Sequence, residues 1–409
     1  MNCDLIHSYM ETTCKASSQV ASKMKYPDDW KVYTLNKLVA QTQYGTNQAV
    51  STDGLIPIIG MKEIQNGKVL IAAQKVSLPP SEQEKYRLDD GDILLNRTNS
   101  LDLVGKSGVY HQNTIAVFAS YLIRLKPVKS LADSDYLGYY LNSYPAYITL
   151  KKIATAAISQ ANINPTELKR LMVIPCPPLL EQQQIAEFLG TWDEAIEKLE
   201  RLIAAKKKRL DGLVQTLLVN TKKHWSVFRL GELFRERAET NCPSLELLAI
   251  TRDRGVIRRS ELDKVDSSSE DKSKYRRIYP GDIGYNTMRM WQGVCGVSYS
   301  EGIVSPAYTI LIPEKNVNAT FAEFYFKTPH VIDIFKRHSQ GLVDDTLNLK
   351  YHHFAKIKLP FPELAKQIEI TEILSTAQSE LRLLKKELAA LQKQKRGLMQ
   401  KLLTGTWRV

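Results

Sequence analysis

The sequence predicts an α+β chain: two globular domains in a tandem pseudo-twofold repeat, separated by two long antiparallel coiled-coil helices. That expectation rests on a heptad seam within residues 181–218, on its recurrence 185 residues later, and on a matching order of short segments ahead of each copy. From Ile185, apolar positions step by four and three through Leu189, Trp192, Ile196, Leu199 and Ile203 to Leu210, Leu213 and Leu217, with Lys206 as the interruption. From Ile370 the steps pass Leu374, Ala377, Leu381, Leu384, Leu388 and Leu391 to Leu398 and Leu402, interrupted at Lys395. A 3.5-residue repeat held for about five heptads leaves a stripe that a lone helix would expose to water, so each helix needs a partner. The chain holds both partners, and two copies of one unit packed about an approximate twofold axis can run them antiparallel. At 1.5 Å per residue such helices reach roughly 55 Å, which suits a rod better than the core of a simple bundle.

Each helix is led by a similar domain. Trp30-Lys31-Val32 opens the first as Trp225-Ser226-Val227 opens the second, and Trp407-Arg408-Val409 resembles the opening of a further unit, as though the order were cyclic. Short β-type runs at 69–72, 93–95 and 115–125, separated by Pro, Gly, Asn and Asp, predict an antiparallel or mixed sheet. A half-buried helix is expected at 136–153 and a closing strand at 171–174, before Pro175, Pro177 and Pro178 deliver the long helix. The second domain repeats this: Gly281-Asp282-Ile283 stands for Gly91-Asp92-Ile93, a helix is expected at 321–335, Asn348-Leu349 echoes Asn162-Ile163, and Pro360 and Pro362 echo Pro175 and Pro177. The expected division is an N-terminal extension 1–24, domain 25–178, central helix 179–222, domain 223–361 and C-terminal helix 362–409.

Composition narrows the class. With 409 residues, 43% of them hydrophobic, the chain is long enough for two cores. Lys and Arg number 56 against 44 Asp and Glu, and the net charge of +12 favours a polyanionic partner, nucleic acid before an acidic protein. Cys3, Cys14, Cys176, Cys242 and Cys295 are scattered and form no C-x-x-C pair, which fits a reducing cytoplasm rather than a disulfide framework or a zinc site. No apolar run reaches the length of a membrane span, and the first 24 residues lack the basic-then-apolar pattern of a signal peptide.

Pro177-Pro178-Leu179-Leu180-Glu181-Gln182-Gln183-Gln184-Ile185 leads into the first long helix, and Pro362-Glu363-Leu364-Ala365-Lys366-Gln367 into the second, with one proline lost and Lys366 where Glu181 stands. Two globular domains, each ended by such a lead-in, resemble the DNA specificity subunit of type I restriction-modification systems over residues 25–409. The resemblance implies that each domain is a target-recognition domain reading one half of a bipartite site on double-stranded DNA. It implies also that the helices set the gap and dock two methyltransferase (modification) subunits, and through them the restriction and translocase subunits. S-adenosylmethionine, ATP and magnesium are then expected on those partners, with no cofactor on this chain.

No catalytic motif is found to set against that. Gly105-Lys106-Ser107 resembles the end of a P-loop, but Ser100 stands where the first glycine should be, and a turn explains it. Asn164-Pro165-Thr166-Glu167 lacks the aromatic residue an amino-methyltransferase uses to hold a flipped base, and helix N-capping explains it. His330 and His352-His353 have no carboxylate or cysteine at ligand spacing. The chain is therefore expected to be a non-catalytic subunit; the alternatives are a coiled-coil scaffold without sequence-specific DNA binding and, among enzymes, a nuclease.

Base reading needs donors and acceptors presented to base edges, with cations on flanking phosphates. Candidates in the first domain are Tyr44, Thr46 and Asn47 in an exposed polar loop, Arg97, Asn99 and Ser100 leaving a strand, and Lys106. In the second domain they are Arg252, Arg254, Arg258 and Lys274 in the basic segments 252–259 and 272–277, and Arg289, Trp291 and Gln292 after the strand at Ile283. The run Lys206-Lys207-Lys208-Arg209 lies on a helix and reads as a charged face or a phosphate or partner contact.

Overall fold

The computed structural model describes residues 26–100, 103–156, 161–221, 224–262, 271–341 and 343–409, so the expected extension 1–24 lies outside the described residues. The chain divides into two compact units: unit 1 runs up to Lys198 and includes Leu388–Val409, and unit 2 is Leu199–Glu387. Among the described residues no helix is long and apolar enough to cross a membrane.

In unit 1 the first strand, Lys31–Thr34, pairs antiparallel with the last, Val173–Cys176, and Trp30 just before it is buried. A six-stranded sheet runs in the order Val39–Tyr44, Leu122–Pro127, Ile93–Asn96, Ser107–Val109, Lys68–Val69, Ile64–Gln65. Both faces are covered, since Ile93, Leu95, Ile123 and Leu125 pack with the helices while Leu94 and Leu122 pack with Phe118 and Tyr110. The helix expected at 136–153 is two, Ser134–Leu141 and Tyr144–Ile153. Pro145 has no N–H to continue the first helix and instead starts the second. The strand expected at 171–174 begins at Val173, because the helix Pro165–Leu171, capped by Asn164 Oδ1 accepting from the Thr166 and Glu167 N–H groups, takes the start of that stretch. The run at 115–125 divides into Val117–Phe118 and Leu122–Pro127.

Unit 2 repeats the frame. Ser226–Arg229 pairs antiparallel with Lys358–Phe361, and a sheet runs Phe234–Arg237, Tyr308–Pro313, Ile283–Asn286, Cys295–Val297. The helix expected at 321–335 is again two, Ala319–Phe326 and Pro329–His338, divided before Pro329 for the same reason. Its core is more aromatic: Phe234, Phe326 and Phe354 meet with ring centroids 5.5–6.0 Å apart, and Trp225 packs edge-on to Phe321 at 5.9 Å.

The long helices are Leu179–Val214, prolonged by a wider turn over Gln215–Asn220, and Leu364–Leu402. In unit 1, Ile185 and Leu189 are buried together with Leu402 and Leu403 from the C-terminal helix and the tail after it. In unit 2, Ile370 and Leu374 are buried against the domain with Leu210, Leu213 and Leu217 beside them. Ile196 and Leu381 are buried, whereas Trp192, Leu199, Ile203, Leu384, Leu388 and Leu391 are half-buried, as befits a seam roofed by one helix only. The helices run antiparallel in each unit, and both lysine interruptions are ion-paired across the seam. Lys395 meets Asp193 in unit 1, and Lys206 meets Glu380 in unit 2.

A buried glutamine near the start of each long helix ties it to its domain. Gln182 accepts from the Asp133 N–H at 3.0 Å and donates to the carbonyls of Leu131 and Pro177 at 3.1 and 2.9 Å. Gln367 accepts from the Asn318 N–H at 2.8 Å and donates to Asn316 and Pro362 at 3.0 and 2.8 Å. Asp133 and Asn318 are themselves helix N-caps, so one side-chain amide joins a proline lead-in, a loop carbonyl and a capped helix.

The departure at Lys366 also has a physical reason. Glu181 receives Arg408, whose Nη2 donates at 2.7 Å, and the same guanidinium grips Asp29 at 3.0 and 2.7 Å. Residues 402–408 thereby join residues 27–30, helped by Gly405, whose φ of +70° and 2.4 Å Cβ clearance to Pro27 leave no room for a side chain. In unit 2 Lys366 pairs with Glu369 instead.

Two predictions follow from these contacts. Gln182→Leu, or Gln367→Leu, removes the partner of one buried and two partly buried backbone groups and should lower stability by about 2–4 kcal/mol in urea denaturation. His111 lies between Asp90 (2.8 Å) and Asp135 (3.1 Å), and the Asp135 hydrogen bond, opposed by burial and aided by Asp90, raises its pKa from 6.5 to about 9. A raised folded pKa stabilises fully below the unfolded value and not above the folded one. The urea midpoint difference between wild type and His111→Gln should therefore be present near pH 6 and gone above about pH 9.

Candidate nucleic-acid interface

In unit 1 the strand Ile93–Asn96 ends in a loop pinched at its base, where the Asn96 N–H donates to Lys106 O and the Gly105 N–H donates to Asn96 O, both at 2.8 Å. Gly105, at φ +85°, lets that base close, and a Cβ there would lie 2.8 Å from Leu150 Cδ1. Arg97 is the first residue of the loop. Its backbone is held on both sides, the N–H donating to Tyr121 O at 3.1 Å and the carbonyl accepting from the Ile163 N–H at 2.9 Å.

That backbone aims the Arg97 side chain. Nε donates to Asn162 Oδ1 at 3.0 Å, and Cζ lies 4.4 Å from the centroid of the half-exposed Tyr44 ring. Tyr44, Arg97 and Asn162 thus converge from three segments of the chain, and the terminal guanidinium nitrogens make no hydrogen bond among the described residues. A guanidinium held over an aromatic ring with its terminal nitrogens unbonded can make a bidentate contact to guanine or to phosphate. Beside it, Asn99 shapes the loop, its Oδ1 accepting from the Ser100 N–H at 2.8 Å and its Nδ2 resting on Met61 Sδ at 3.3 Å. Ser100 and Asn47 are exposed.

Two unit 1 candidates occupy other roles. The loop expected to be exposed from Tyr44 begins only at Asn47, because Gly45 presses against the Phe118 carbonyl and Thr46 is buried between Phe118 O and the Ser120 N–H. Thr46 Oγ1 accepts from the Gln48 N–H at 3.1 Å, so its hydroxyl shapes the loop. Lys106 stands at the loop base, half-buried, and burial lowers its pKa from the usual lysine range.

In unit 2 the strand Ile283–Asn286 ends in the matching loop, with the Asn286 N–H donating to Val294 O at 3.0 Å. The doubly held backbone slot belongs here to Thr287, whose N–H donates to Ala307 O and whose carbonyl accepts from the Leu349 N–H. Arg289 comes two residues later and is exposed. Asn286 Oδ1 accepts from the Met288 N–H at 3.0 Å, and the Trp291 indole donates to Met288 O at 3.0 Å while its ring carries Lys336 Nζ at 5.0 Å. Trp291 and Gln292 are half-buried and Met288 is exposed, so the loop presents Met288 and Arg289 with Trp291 as their support.

The basic segments of unit 2 are largely neutralised. Arg254 donates to Glu261 Oε2 at 2.6 Å, Arg258 pairs with Glu246 at 3.3 Å, Arg276 with Glu236 at 2.5 Å, and Arg277 with Glu301. Tyr279 lies between the guanidinium groups of Arg237 and Arg277, 4.4 and 4.5 Å from its centroid, and Arg237 is itself held by the buried Asp282. Arg254 and Arg258 thus stand in exposed ion pairs with Glu261 and Glu246. Arg252, at the tip of the hairpin Leu248–Thr251 and Gly255–Arg258, is exposed without an ion pair among the described residues, and Lys274 is exposed in the turn before Arg276–Ile278.

Sequence reasoning did not single out Asn162, Met288 and Lys336, which the structure brings beside Arg97, Arg289 and Trp291. Asn162 had a signal, since its match to Asn348 marked the segment as part of the repeat; the other two are placed only by the fold. Among the described residues no group of three His, Cys, Asp or Glu side chains is arranged to hold a metal ion.

Comparison with known proteins bears on the family and the fold. The family model described as the type I restriction modification DNA specificity domain matches residues 27–207 and again 222–393. The MjaX specificity subunit of a type I restriction enzyme, from Methanocaldococcus jannaschii, is 25% identical over 406 residues, covering 94% of this chain and 95% of its own. In fold the chain is similar to the S subunit of a type I restriction-modification system from M. genitalium, with a TM-score of 0.60 at 17% identity over 93% of this chain and 97% of that one. It is likewise similar to a chain from a structure concerned with complex assembly and conformational transition of the type I R-M system, with a TM-score of 0.57 at 17% identity over 94% and 100%.

Proposed function

Since the chain belongs to the type I restriction-modification DNA specificity family, we propose that units 1 and 2 each read one half of a bipartite DNA target and that the two long helices dock methyltransferase subunits and set the gap between the half-sites. The observation that carries the reading is the loop after the equivalent strand in each unit, held by three matching backbone bonds but presenting different side chains, Arg97 over Tyr44 in one and Met288 with Arg289 in the other. A frame that repeats while its projecting groups differ suits two readers of unlike sequences. Arg252 and Lys274, exposed cations beside the unit 2 frame, serve as phosphate contacts that set register without selecting sequence.

Methyl transfer, translocation and cleavage then belong to the partner subunits, which bring S-adenosylmethionine, ATP and magnesium. The chain works in the cytoplasm, where its DNA and partners are. A scaffold without DNA selectivity would have no use for a guanidinium stacked and aimed outward in this way, and family membership speaks against it.

The experiment is methylome sequencing of cells carrying the assembled complex. Replacing residues 25–178 with the domain of a relative should change one half of the methylated motif and keep the other; a change in both halves would refute independent reading. Arg97→Ala should relax one position of the unit 1 half-site at a cost of about 1–3 kcal/mol in binding, whereas Arg252→Ala should weaken all sequences alike and reduce the salt dependence by about one counterion. A heptad inserted after both Leu199 and Leu384 adds about 10 Å to the helices and should lengthen the gap by about one to three base pairs.

A further inference from the structure

The lysine interruptions of the heptad seam break the repeat. Displacement by 185 residues relates Lys206 to Leu391 and Lys395 to Leu210, and it relates their partners Glu380 and Asp193 to Ala195 and Gln378. Neither ion pair therefore has a repeat-related copy. Each is set into the seam: Lys395 and Asp193 expose only 14% and 11% of their side chains, with the Tyr139 hydroxyl donating to Asp193 at 2.7 Å and its ring 5.1 Å from Lys395 Nζ. Lys206 is 25% exposed beside Glu380.

The consequence follows from the register. Because both helices carry the same apolar repeat, either could pair with its own copy from a second chain in the register seen here. In such a pairing Lys206 would meet Ala195 and Asp193 would meet Leu210; in the other helix Lys395 would meet Gln378 and Glu380 would meet Leu391. Lys206, Lys395 and Asp193 would then sit in the seam with no opposite charge, Glu380 (45% exposed) lying at its edge, and a seam charge deprived of its partner is destabilising even where the pair itself adds little. A single polar seam residue is the established means of choosing partner and register in coiled coils.

We infer that the ion pairs Asp193–Lys395 and Lys206–Glu380 select pairing between the two different helices of one chain and disfavour pairing of either helix with its own copy in a second molecule. Apolar burial makes the seam cohesive and the unsymmetric charges make it choose.

The test uses the full-length chain and sedimentation velocity over a range of concentrations. In D193Q/K206L/E380A/K395L each charged residue takes the identity found at its repeat-related position, so that homotypic and heterotypic pairing become alike. Wild type is expected to stay monomeric, while this variant forms dimers with an association constant raised on the order of tenfold or more. If it does not fold, D193Q/K395L and K206L/E380A, each keeping one native pair, are expected to show smaller increases. The charge-exchanged D193K/K395D retains opposite charges across the seam and should remain monomeric. Neutralised variants as monomeric as wild type would overturn the inference. So would a charge-exchanged variant that dimerises as strongly as the neutralised one, since that would mean loss of the native side chains, not of cross-helix pairing, causes association.

Discussion

The fold depends on one buried side-chain amide in each repeat. A long helix leaving a globular domain has its first backbone N–H groups and the preceding turn unsatisfied, and the domain offers carbonyls that a proline-rich lead-in cannot reach by its own backbone. Gln182 and Gln367 satisfy those carbonyls and the N–H of a facing helix cap with one acceptor and two donors apiece, an inventory that no carboxylate, hydroxyl or lysine supplies at that length. Their placement at the same point of both repeats is why the motif reads Gln in both copies while its neighbours vary. Glu181 and Lys366 differ because only one of the two junctions is closed by Arg408.

Electrostatics divides the chain's positive charge into two kinds. Arg237, Arg254, Arg258, Arg276 and Arg277 are ion-paired within unit 2, and in unit 1 Arg124 meets the buried Asp92. These pairs stiffen the frame from which loops project and contribute little net field. The cations without an ion pair among the described residues are fewer, and Arg97 among them is held over Tyr44 and by the bond to Asn162. A net charge of +12 therefore says that a polyanion is welcome, and the pairing pattern says where it can be gripped.

Much of the architecture was legible because it is periodic. The heptad seam, the 185-residue displacement and the tryptophan openings survive any local detail, since each is set by burial of many residues at once. Local breaks were harder to see. Pro145 and Pro329 split stretches whose apolar spacing looks continuous, because periodicity registers the buried face and not the missing N–H. Thr46 looked like a loop residue from its neighbours and is buried, since the close approach permitted by Gly45 is a tertiary contact. Arg254 and Arg258 looked available because their carboxylates, Glu261 and Glu246, are brought beside them by a turn and a strand pairing that composition does not encode.

The comparison of Arg97 with Thr287 shows what duplication leaves open to change. Both occupy a backbone slot whose N–H donates across to one strand end and whose carbonyl accepts from a segment some sixty residues on, Ile163 in one unit and Leu349 in the other. These bonds involve main-chain atoms only, so they hold whatever side chain stands there. A slot whose backbone is held by main-chain bonds separates the choice of side chain from the stability of the fold. A change of side chain at such a slot leaves these main-chain bonds in place, whereas a change at Gln182 removes side-chain bonds that join helix and domain. The framework can stay a repeat, and the two loops are free to diverge.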